Sequence, residues 1–238
     1  MIHDPRIQVI EVLRILRKVF KYKELEDLTG LTTPTLWRYI NMKVLPTRER
    51  ARELLDKLVS GEVIKELISR NILIVDNSMV NIASLIYDVN LLKIFSLEIY
   101  REFSKLDPTA VMTVEVDGIP LAVVASDVLG AKLVVAKRRL DVGVFKYYEV
   151  SYVSMDPPSI TNLYIPSQAL EPDDRVLIVD DLLRSGRTSQ ALIKLVRKAG
   201  ASIVGLYALV AIGSKWRDAL RGEVGKIYVS YVLNEVNA

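Results

Sequence analysis

The chain contains no cysteine, a single histidine and no long apolar run. Without cysteine, the protein has no disulfides, thiol nucleophiles or thiolate metal sites. Because His3 lies at the N-terminus, we do not expect histidine-dependent acid–base or zinc chemistry. No apolar run approaches the roughly 18 residues of a membrane-spanning helix, and the first residues lack the apolar segment of a signal peptide. We therefore expect a cytoplasmic protein with no membrane contact and with no metal site formed by its own side chains alone.

Positive charge is concentrated at the start of the chain. Residues 1–58 carry 12 Lys and Arg against 8 Asp and Glu, whereas residues 59–238 carry 20 against 21. Nucleic-acid-binding modules show this asymmetry, although a small solvated helical domain can show it too. With 238 residues, half of them hydrophobic, the chain can bury the core of one large domain or of two ordinary ones.

The hydrophobic periodicity changes near Gly61. Residues 1–60 have helical spacing throughout, which predicts a small all-α domain. Residues 61–238 alternate short apolar strands with amphipathic helices, the pattern of an α/β domain with a central parallel sheet covered on both faces. The expected strands are 72–75, 111–116, 133–137, 176–180 and 203–212, and the expected helices include 91–106, 120–130 and 188–200. The Tyr-, Ser- and Pro-rich segment 141–170 predicts a hairpin or mobile loop.

The segment VLIVDDLLRSGRT, residues 176–188, predicts a binding site for a ribose 5-phosphate group. An apolar strand ends at Asp180 and Asp181, at the edge of the sheet where ligands bind in open α/β folds. A turn around Gly186 then opens a helix, so that backbone N–H groups and the helix dipole favour a phosphate. The acid pair can accept hydrogen bonds from two ribose hydroxyls. Further donors to the phosphate are expected from Arg184, Ser185, Arg187 and Thr188.

This segment resembles, without a gap, the phosphoribosyl pyrophosphate signature of the type I phosphoribosyltransferases. The resemblance extends over residues 61–235 and implies their fold, with a hood over the central sheet, and a Mg²⁺ ion bound together with phosphoribosyl pyrophosphate. Within the family, the chain is most similar to the branch of xanthine phosphoribosyltransferases and the bacterial purine repressor. The resemblance implies a pyrophosphate loop with Asp117, Gly118, Lys137 and Arg138, and a mobile hood loop with Ser151 and Tyr152.

Two departures from the family pattern bear on catalysis. Asp117 stands where relatives usually have a small, hydroxyl or basic residue, and arginines occupy positions 184 and 187, which are typically small. For contact with a purine base, the sequence offers Lys215 and Trp216 after the last core strand. A surface lysine beside a core-edge tryptophan explains the same pair equally well.

The segment 22–46 has helix–turn–helix form, with a turn at Gly30 and a second helix from Pro34. Such a pair predicts a DNA reader, and it resembles the modules fused to phosphoribosyltransferase-like domains in archaeal regulators. A helical dimerisation or capping domain is the alternative. The expected DNA-contacting residues are Thr33, Thr35, Arg38, Asn41 and Lys43.

Two functions follow from these features. The first, which the sequence favours, is a DNA-binding transcriptional regulator of purine metabolism that senses phosphoribosyl pyrophosphate or a nucleotide. The second is an active purine phosphoribosyltransferase with a helical accessory domain. A homodimer is expected in either case, since proteins that read double-stranded DNA usually recognise two half-sites and related transferases pair.

Overall fold

The computed structural model describes residues 4–75, 79–155 and 158–234. The chain divides into two compact units, one of Met1–Leu73 with Val80–Glu98, the other of Ile74–Met79 with Ile99–Ala238. The predicted domain boundary after residue 60 falls inside the first unit, in front of a helix that begins at Gly61. That boundary stays a prediction, as does the homodimer. Within the described ranges no helix has the length and apolar character that crossing a membrane requires.

Residues 4–60 are all-α, as predicted for residues 1–60. Side-chain caps begin several of its helices: the Asp4 carboxylate accepts from the Arg6 N–H, and the Thr47 hydroxyl accepts from the Arg50 N–H. Gly30, at φ 71°, ends the second helix in the left-handed conformation that glycine adopts without strain. The elements are α1 Pro5–Leu16, α2 Tyr22–Thr29, α3 Thr33–Ile40, α4 Arg48–Leu58, α5 Gly61–Asn71, β1 Leu73–Val75, β2 Met79–Asn81, α6 Ala83–Ile86 and α7 Val89–Phe103.

A five-stranded, all-parallel sheet forms the centre of the second unit. Its strands are β3 Ala110–Val114, β4 Lys132–Ala136, β7 Arg175–Leu183, β8 Ser202–Ile212 and β9 Ile227–Leu233, in the order β4-β3-β7-β8-β9. Four of these strands were predicted, and β9 was missed. The expected strand at 72–75 is the short β1, which lies outside this sheet. All five residues of β3 are buried, as its continuous apolar run indicates.

Helices and a hairpin complete the second unit. The predicted helices are confirmed as α8 Ile119–Leu129 and α9 Arg187–Lys198, and a shorter α10 spans Lys215–Leu220. The segment expected to be a hairpin or mobile loop forms an antiparallel hairpin of β5 Tyr147–Met155 and β6 Pro158–Pro166. The inner face of the hairpin joins the core through Val150 and Leu163, which pack with α9 and the sheet. This architecture brings β5, β7 and α9 together around the predicted phosphate turn.

Candidate functional site

The strand–turn–helix predicted from the sequence is present. β7 runs through Asp180 and Asp181 to Leu183, and α9 begins at Arg187. Between them Gly186 adopts φ 76°, which lets the chain turn sharply and aim the first N–H groups of α9 back toward the end of the sheet. The turn borders a cavity of about 370 Å³. Its walls include Tyr152, Asp180, Arg184, Ser185, Arg187, Thr188 and Ser189. Apart from Asp181, the residues predicted to bind the ribose and the phosphate thus line one cavity.

Of the acid pair, Asp180 lines this cavity, and Asp181 follows it on β7. Asp180 is only 6% exposed, and its Oδ2 lies 3.4 Å from the Ser189 hydroxyl. Burial, and then the neighbouring Asp181 charge, raise the pKa of Asp180 above its ordinary value. Burial also raises the pKa of Asp181, and the Asp117 carboxylate adds to that effect. Ser189 was not anticipated, because nothing in the spacing marks a serine inside an amphipathic helix as a partner of the strand.

The predicted pyrophosphate turn adjoins the acid pair. A Cβ atom at Gly118 would lie 3.5 Å from Asp181 Oδ1 and 3.4 Å from the Val114 carbonyl oxygen, and it would overlap Thr113 Oγ1. Glycine thus lets the turn after β3 lie against the buried Thr113 side chain. Thr113 Oγ1 is buried without a hydrogen-bond partner among the described residues. The predicted pyrophosphate turn therefore lies next to Asp181 of the acid pair.

Lys137 and Arg138 lie at the end of β4, beside β3. The Arg138 backbone N–H donates to Glu115 Oε1 at 2.6 Å, and its guanidinium donates to the Glu115 carbonyl at 3.2 Å, which ties Arg138 to the segment before the pyrophosphate turn. Lys137 Nζ donates to both oxygens of Asp141, at 2.8 and 3.0 Å, and this hydrogen bonding raises its pKa. Sequence analysis did not identify Glu115, which positions Arg138.

The predicted hood residues lie on β5, above the phosphate turn. The Tyr152 hydroxyl is 3.4 Å from Thr188 Oγ1, and the Arg187 guanidinium donates to the Val153 carbonyl at 3.2 Å. Ser151 lines a neighbouring cavity of about 380 Å³ that also borders Arg187. The hairpin therefore touches the turn through side chains that are themselves candidates for phosphate binding.

Trp216 is part of the core. It is 4% exposed, its Nε1 donates to the Gly213 carbonyl at 3.0 Å, and the Arg217 guanidinium covers its ring at 4.5 Å. This environment fits a packing residue better than a stacking surface, and base contact by Lys215 and Trp216 stays a prediction. The helix that carries them supports the phosphate turn: a Cβ at Gly186 would lie 3.4 Å from Trp216 Cα and 3.2 Å from Ala219 Cβ.

Several of the residues expected to contact DNA are used within the first unit. Asn41 Nδ2 donates to the Trp37 carbonyl at 2.8 Å, and Thr35 Oγ1 shares a hydrogen bond with Thr32 Oγ1 at 3.0 Å. The Thr33 N–H donates to the Glu26 carboxylate. Arg38 and Lys43 are exposed. The Thr35 and Asn41 bonds lie at the two ends of α3, and the bond from Thr33 to Glu26 links α3 to α2.

Comparison with known proteins identifies relatives of the chain. The family described as "Phosphoribosyl transferase domain" matches residues 86–225. Xanthine phosphoribosyltransferase of Geobacillus thermodenitrificans is 32% identical over 161 residues, 67% of this chain and 79% of that protein. The same enzyme of Deinococcus deserti is 37% identical over 111 residues, 46% of this chain and 58% of that protein. Adenine phosphoribosyltransferase of Rhodothermus marinus superposes with a TM-score of 0.64 at 23% identity, covering 72% of this chain and 99% of that one.

These relatives overturn the favoured functional hypothesis. We expected a DNA-binding transcriptional regulator, and that expectation is wrong, because these curated relatives are named as xanthine phosphoribosyltransferases and a matching solved structure is an adenine phosphoribosyltransferase. The basic charge of residues 1–58 and the helix pair had suggested DNA, but both occur equally in a solvated helical domain. With a family match over more than half its length and a parallel α/β sheet of the same fold, the chain belongs to the type I phosphoribosyltransferase family.

Proposed function

We propose that the protein is a purine phosphoribosyltransferase that uses phosphoribosyl pyrophosphate, with xanthine as the first acceptor to test. The observation that carries the proposal is that the predicted pyrophosphate turn adjoins the acid pair. A Cβ at Gly118 would lie 3.5 Å from Asp181 Oδ1, and Asp180, the preceding residue of β7, lines the phosphate cavity. A substrate with a phosphate at one end of ribose and a diphosphate at the other fits this arrangement. Xanthine is proposed because the curated relatives carry that name.

The 5-phosphate would bind at the turn before α9. The first N–H groups of this 12-residue helix and the hydroxyls of Ser185 and Thr188 supply donors, and the positive end of the helix dipole favours a dianion. Arg187 adds a charged donor that at present contacts the Val153 carbonyl. Asp180 and Asp181 are consecutive residues of β7. Their side chains would accept hydrogen bonds from the ribose hydroxyls.

The diphosphate would bind at the Asp117–Gly118 turn beside Arg138. In the transfer, a ring nitrogen of the base forms a bond to C1 of the ribose while the bond from C1 to the diphosphate oxygen breaks. The base gives up the proton from its ring nitrogen to water, and diphosphate leaves with the electron pair of the broken bond. Positive charge that develops on the ribose ring would be stabilised by the ionised carboxylate of the acid pair.

The carboxylate oxygens at this site suit a magnesium ion that binds together with the substrate. Carboxylate oxygens are preferred Mg²⁺ ligands, and Asp117 already raises the pKa of Asp181, which means that negative charges crowd one another there. Among the described residues no group of three or more acidic or histidine side chains could hold a metal by itself, so Asp117 and Asp181 would complement ligands from the diphosphate. When bound, Mg²⁺ neutralises part of the diphosphate charge and makes it a better leaving group.

The helical region in front of the transferase fold is proposed to be an accessory domain. α2 ends at Gly30 and α3 begins at Thr33. The Thr35 and Asn41 side chains are engaged in hydrogen bonds at the two ends of α3. This supports a structural or assembly role for the domain.

The test is a transfer assay with phosphoribosyl pyrophosphate, Mg²⁺ and a panel of xanthine, hypoxanthine, guanine and adenine, with detection of the nucleoside monophosphate. Replacing both Asp180 and Asp181 by Asn should lower kcat/KM by roughly 10²–10³-fold, the scale seen when groups aimed at developing charge are removed. The matched control is Asp173→Asn, an exposed carboxylate just before β7. Absence of transfer to all four bases by the wild-type protein would refute the proposal, and so would full activity in the double variant.

A further inference from the structure

A groove larger than the phosphate cavity runs between α9 and β5. It has a volume of about 840 Å³ and is lined by Tyr147, Tyr148, Ser151, Lys194, Arg197 and Lys198, among others. We call it the α9–β5 groove. The cavity of about 380 Å³ that borders Ser151, Arg187 and Lys194 lies between it and the phosphate turn. None of the acid pair or the phosphate-turn residues lines the groove, so it is a separate site.

The groove concentrates positive charge at one place. Lys194, Arg197 and Lys198 are spaced i, i+3 and i+4 on α9, so Arg197 and Lys198 both neighbour Lys194 on the helix surface. Glu149 is the one carboxylate that lines the groove within the described ranges. Arg197 is also paired with Glu223, so two carboxylates offset the three cations and one positive charge is left in excess, which attracts anions.

Two of the cations are held in position. Lys198 Nζ donates to the Glu149 carbonyl at 2.6 Å, and Arg197 Nη1 lies 2.7 Å from Glu223 Oε2. Lys194 stands between these and the phosphate turn, and in residues 4–75, 79–155 and 158–234 it has neither a hydrogen bond nor an ion pair. The Lys194 ammonium group therefore has unused hydrogen-bond donors beside two cations that are held in position. Such an arrangement suits an anion that carries more than one phosphate group.

The aromatic residues of the groove argue against a nucleic acid strand as its occupant. The Tyr147 hydroxyl is hydrogen-bonded to the backbone of Asp141, at 2.7 and 2.9 Å, and its ring meets Tyr164 edge to face. Tyr148 is partly buried against the core. Single-stranded nucleic acids require exposed aromatic faces and cations spread along the backbone, whereas here the cations converge and the rings are occupied.

We propose that the α9–β5 groove binds a small phosphorylated metabolite that carries at least two phosphate groups, at a site distinct from the phosphoribosyl site. The lysines and the arginine would contact the phosphates, and the Ser151 hydroxyl would add a donor from the opposite wall. Because one wall is α9 and the other is the hairpin, a bound anion would link the hairpin to the helix that carries the phosphate turn. The proposal does not depend on the transfer reaction.

Titration calorimetry with tripolyphosphate as the probe tests this inference on the full chain. The wild-type protein should bind two equivalents, one at the phosphate turn and one in the groove. Ser185→Glu places a negative charge at the turn and should remove that site alone, and saturating ribose 5-phosphate should compete for the same equivalent. Lys194→Ala with Lys198→Ala should weaken the other site at least tenfold, since each lost hydrogen bond to a charged group is worth about that factor. The matched control is Lys65→Ala with Lys105→Ala, two exposed lysines outside the groove.

The outcomes separate the alternatives. A single equivalent in the wild type that is lost in Ser185→Glu would overturn the groove site, as would equal weakening in the control variant. The choice of ligand would be overturned if a single-stranded decanucleotide bound more tightly than tripolyphosphate and if this binding were lost when Lys194 and Lys198 are replaced. Two equivalents in a protein that transfers phosphoribose to no purine would support the groove and refute the proposed function.

Discussion

Replacement of Gly186, in the phosphate turn, by alanine is expected to lower the stability of the fold strongly. Gly222 provides a matched control. Gly186 and Gly222 have nearly the same backbone conformation, with φ of 76° and 75°. Alanine in this left-handed region costs roughly 1–2 kcal/mol at either position. The two sites differ in their surroundings, because a Cβ at Gly222 meets nothing within 4 Å.

At Gly186 the added methyl group has no open space. It would lie 3.2 Å from Ala219 Cβ, 3.3 Å from Leu220 Cγ and 3.4 Å from Trp216 Cα, all on α10. Displacing a packed helix to admit a methyl group costs roughly 1–3 kcal/mol. We therefore expect Gly186→Ala to lower the free energy of unfolding by about 2–5 kcal/mol and Gly222→Ala by about 1–2 kcal/mol.

Urea unfolding of both variants, followed by tryptophan fluorescence, measures this difference directly. The midpoint should fall further in Gly186→Ala, with an unchanged m-value. Affinity for phosphoribosyl pyrophosphate should also fall in this variant, and it should be unaffected in Gly222→Ala. Equal loss of stability in the two variants would show that backbone strain alone is at work and that α10 does not support the turn.

Two further predictions concern the core and the acid pair. Gly205→Ala should lower the free energy of unfolding by about 1–3 kcal/mol, because its Cβ would lie 2.5 Å from a ring carbon of the buried Phe103. Thermal unfolding measures this loss. The control Gly225→Ala should unfold at nearly the wild-type temperature, because its Cβ meets nothing within 4 Å. Since the pKa of Asp180 is raised, the native state holds this proton more tightly than the unfolded chain, and the contribution of Asp180 to stability declines as pH rises from its ordinary value of 3.8 through the raised pKa. Asp180→Asn should therefore become more stable relative to the wild type between about pH 4 and about pH 8 in urea titrations, and a constant difference across that range would contradict the assignment.

The local part of the site could be predicted from the sequence. Four consecutive apolar residues, Val176–Val179, specify a buried strand, and a glycine seven residues further on allows the turn that opens α9. These features depend on neighbours in the chain, so pattern and conformational preference suffice to place them. The parallel sheet followed for the same reason from the alternation of strands and helices.

Contacts between distant segments could not be predicted. The approach of Gly118 to Asp181 depends on the pairing of β3 with β7, whose register no local pattern fixes. Strand β9 was missed because α10, the helix before it, has only six residues, too few for a helical period to stand out. The burial of Trp216 follows from the packing of that same helix. The functional hypothesis failed because net charge describes what a surface attracts and does not identify a site.

The docking of α10 behind the phosphate turn limits how the preference for a base can change. Gln190 Nε2, on α9, donates to the Ala219 carbonyl at 2.7 Å, and Gly186 packs against the same short helix. If Lys215 contacts the base, as predicted, a substitution that moves Lys215 or the start of α10 to accommodate another purine would also shift the support of the turn before α9. Selectivity for the base and affinity for the sugar phosphate would then be coupled, and variants selected for a new base would need a compensating change on α9.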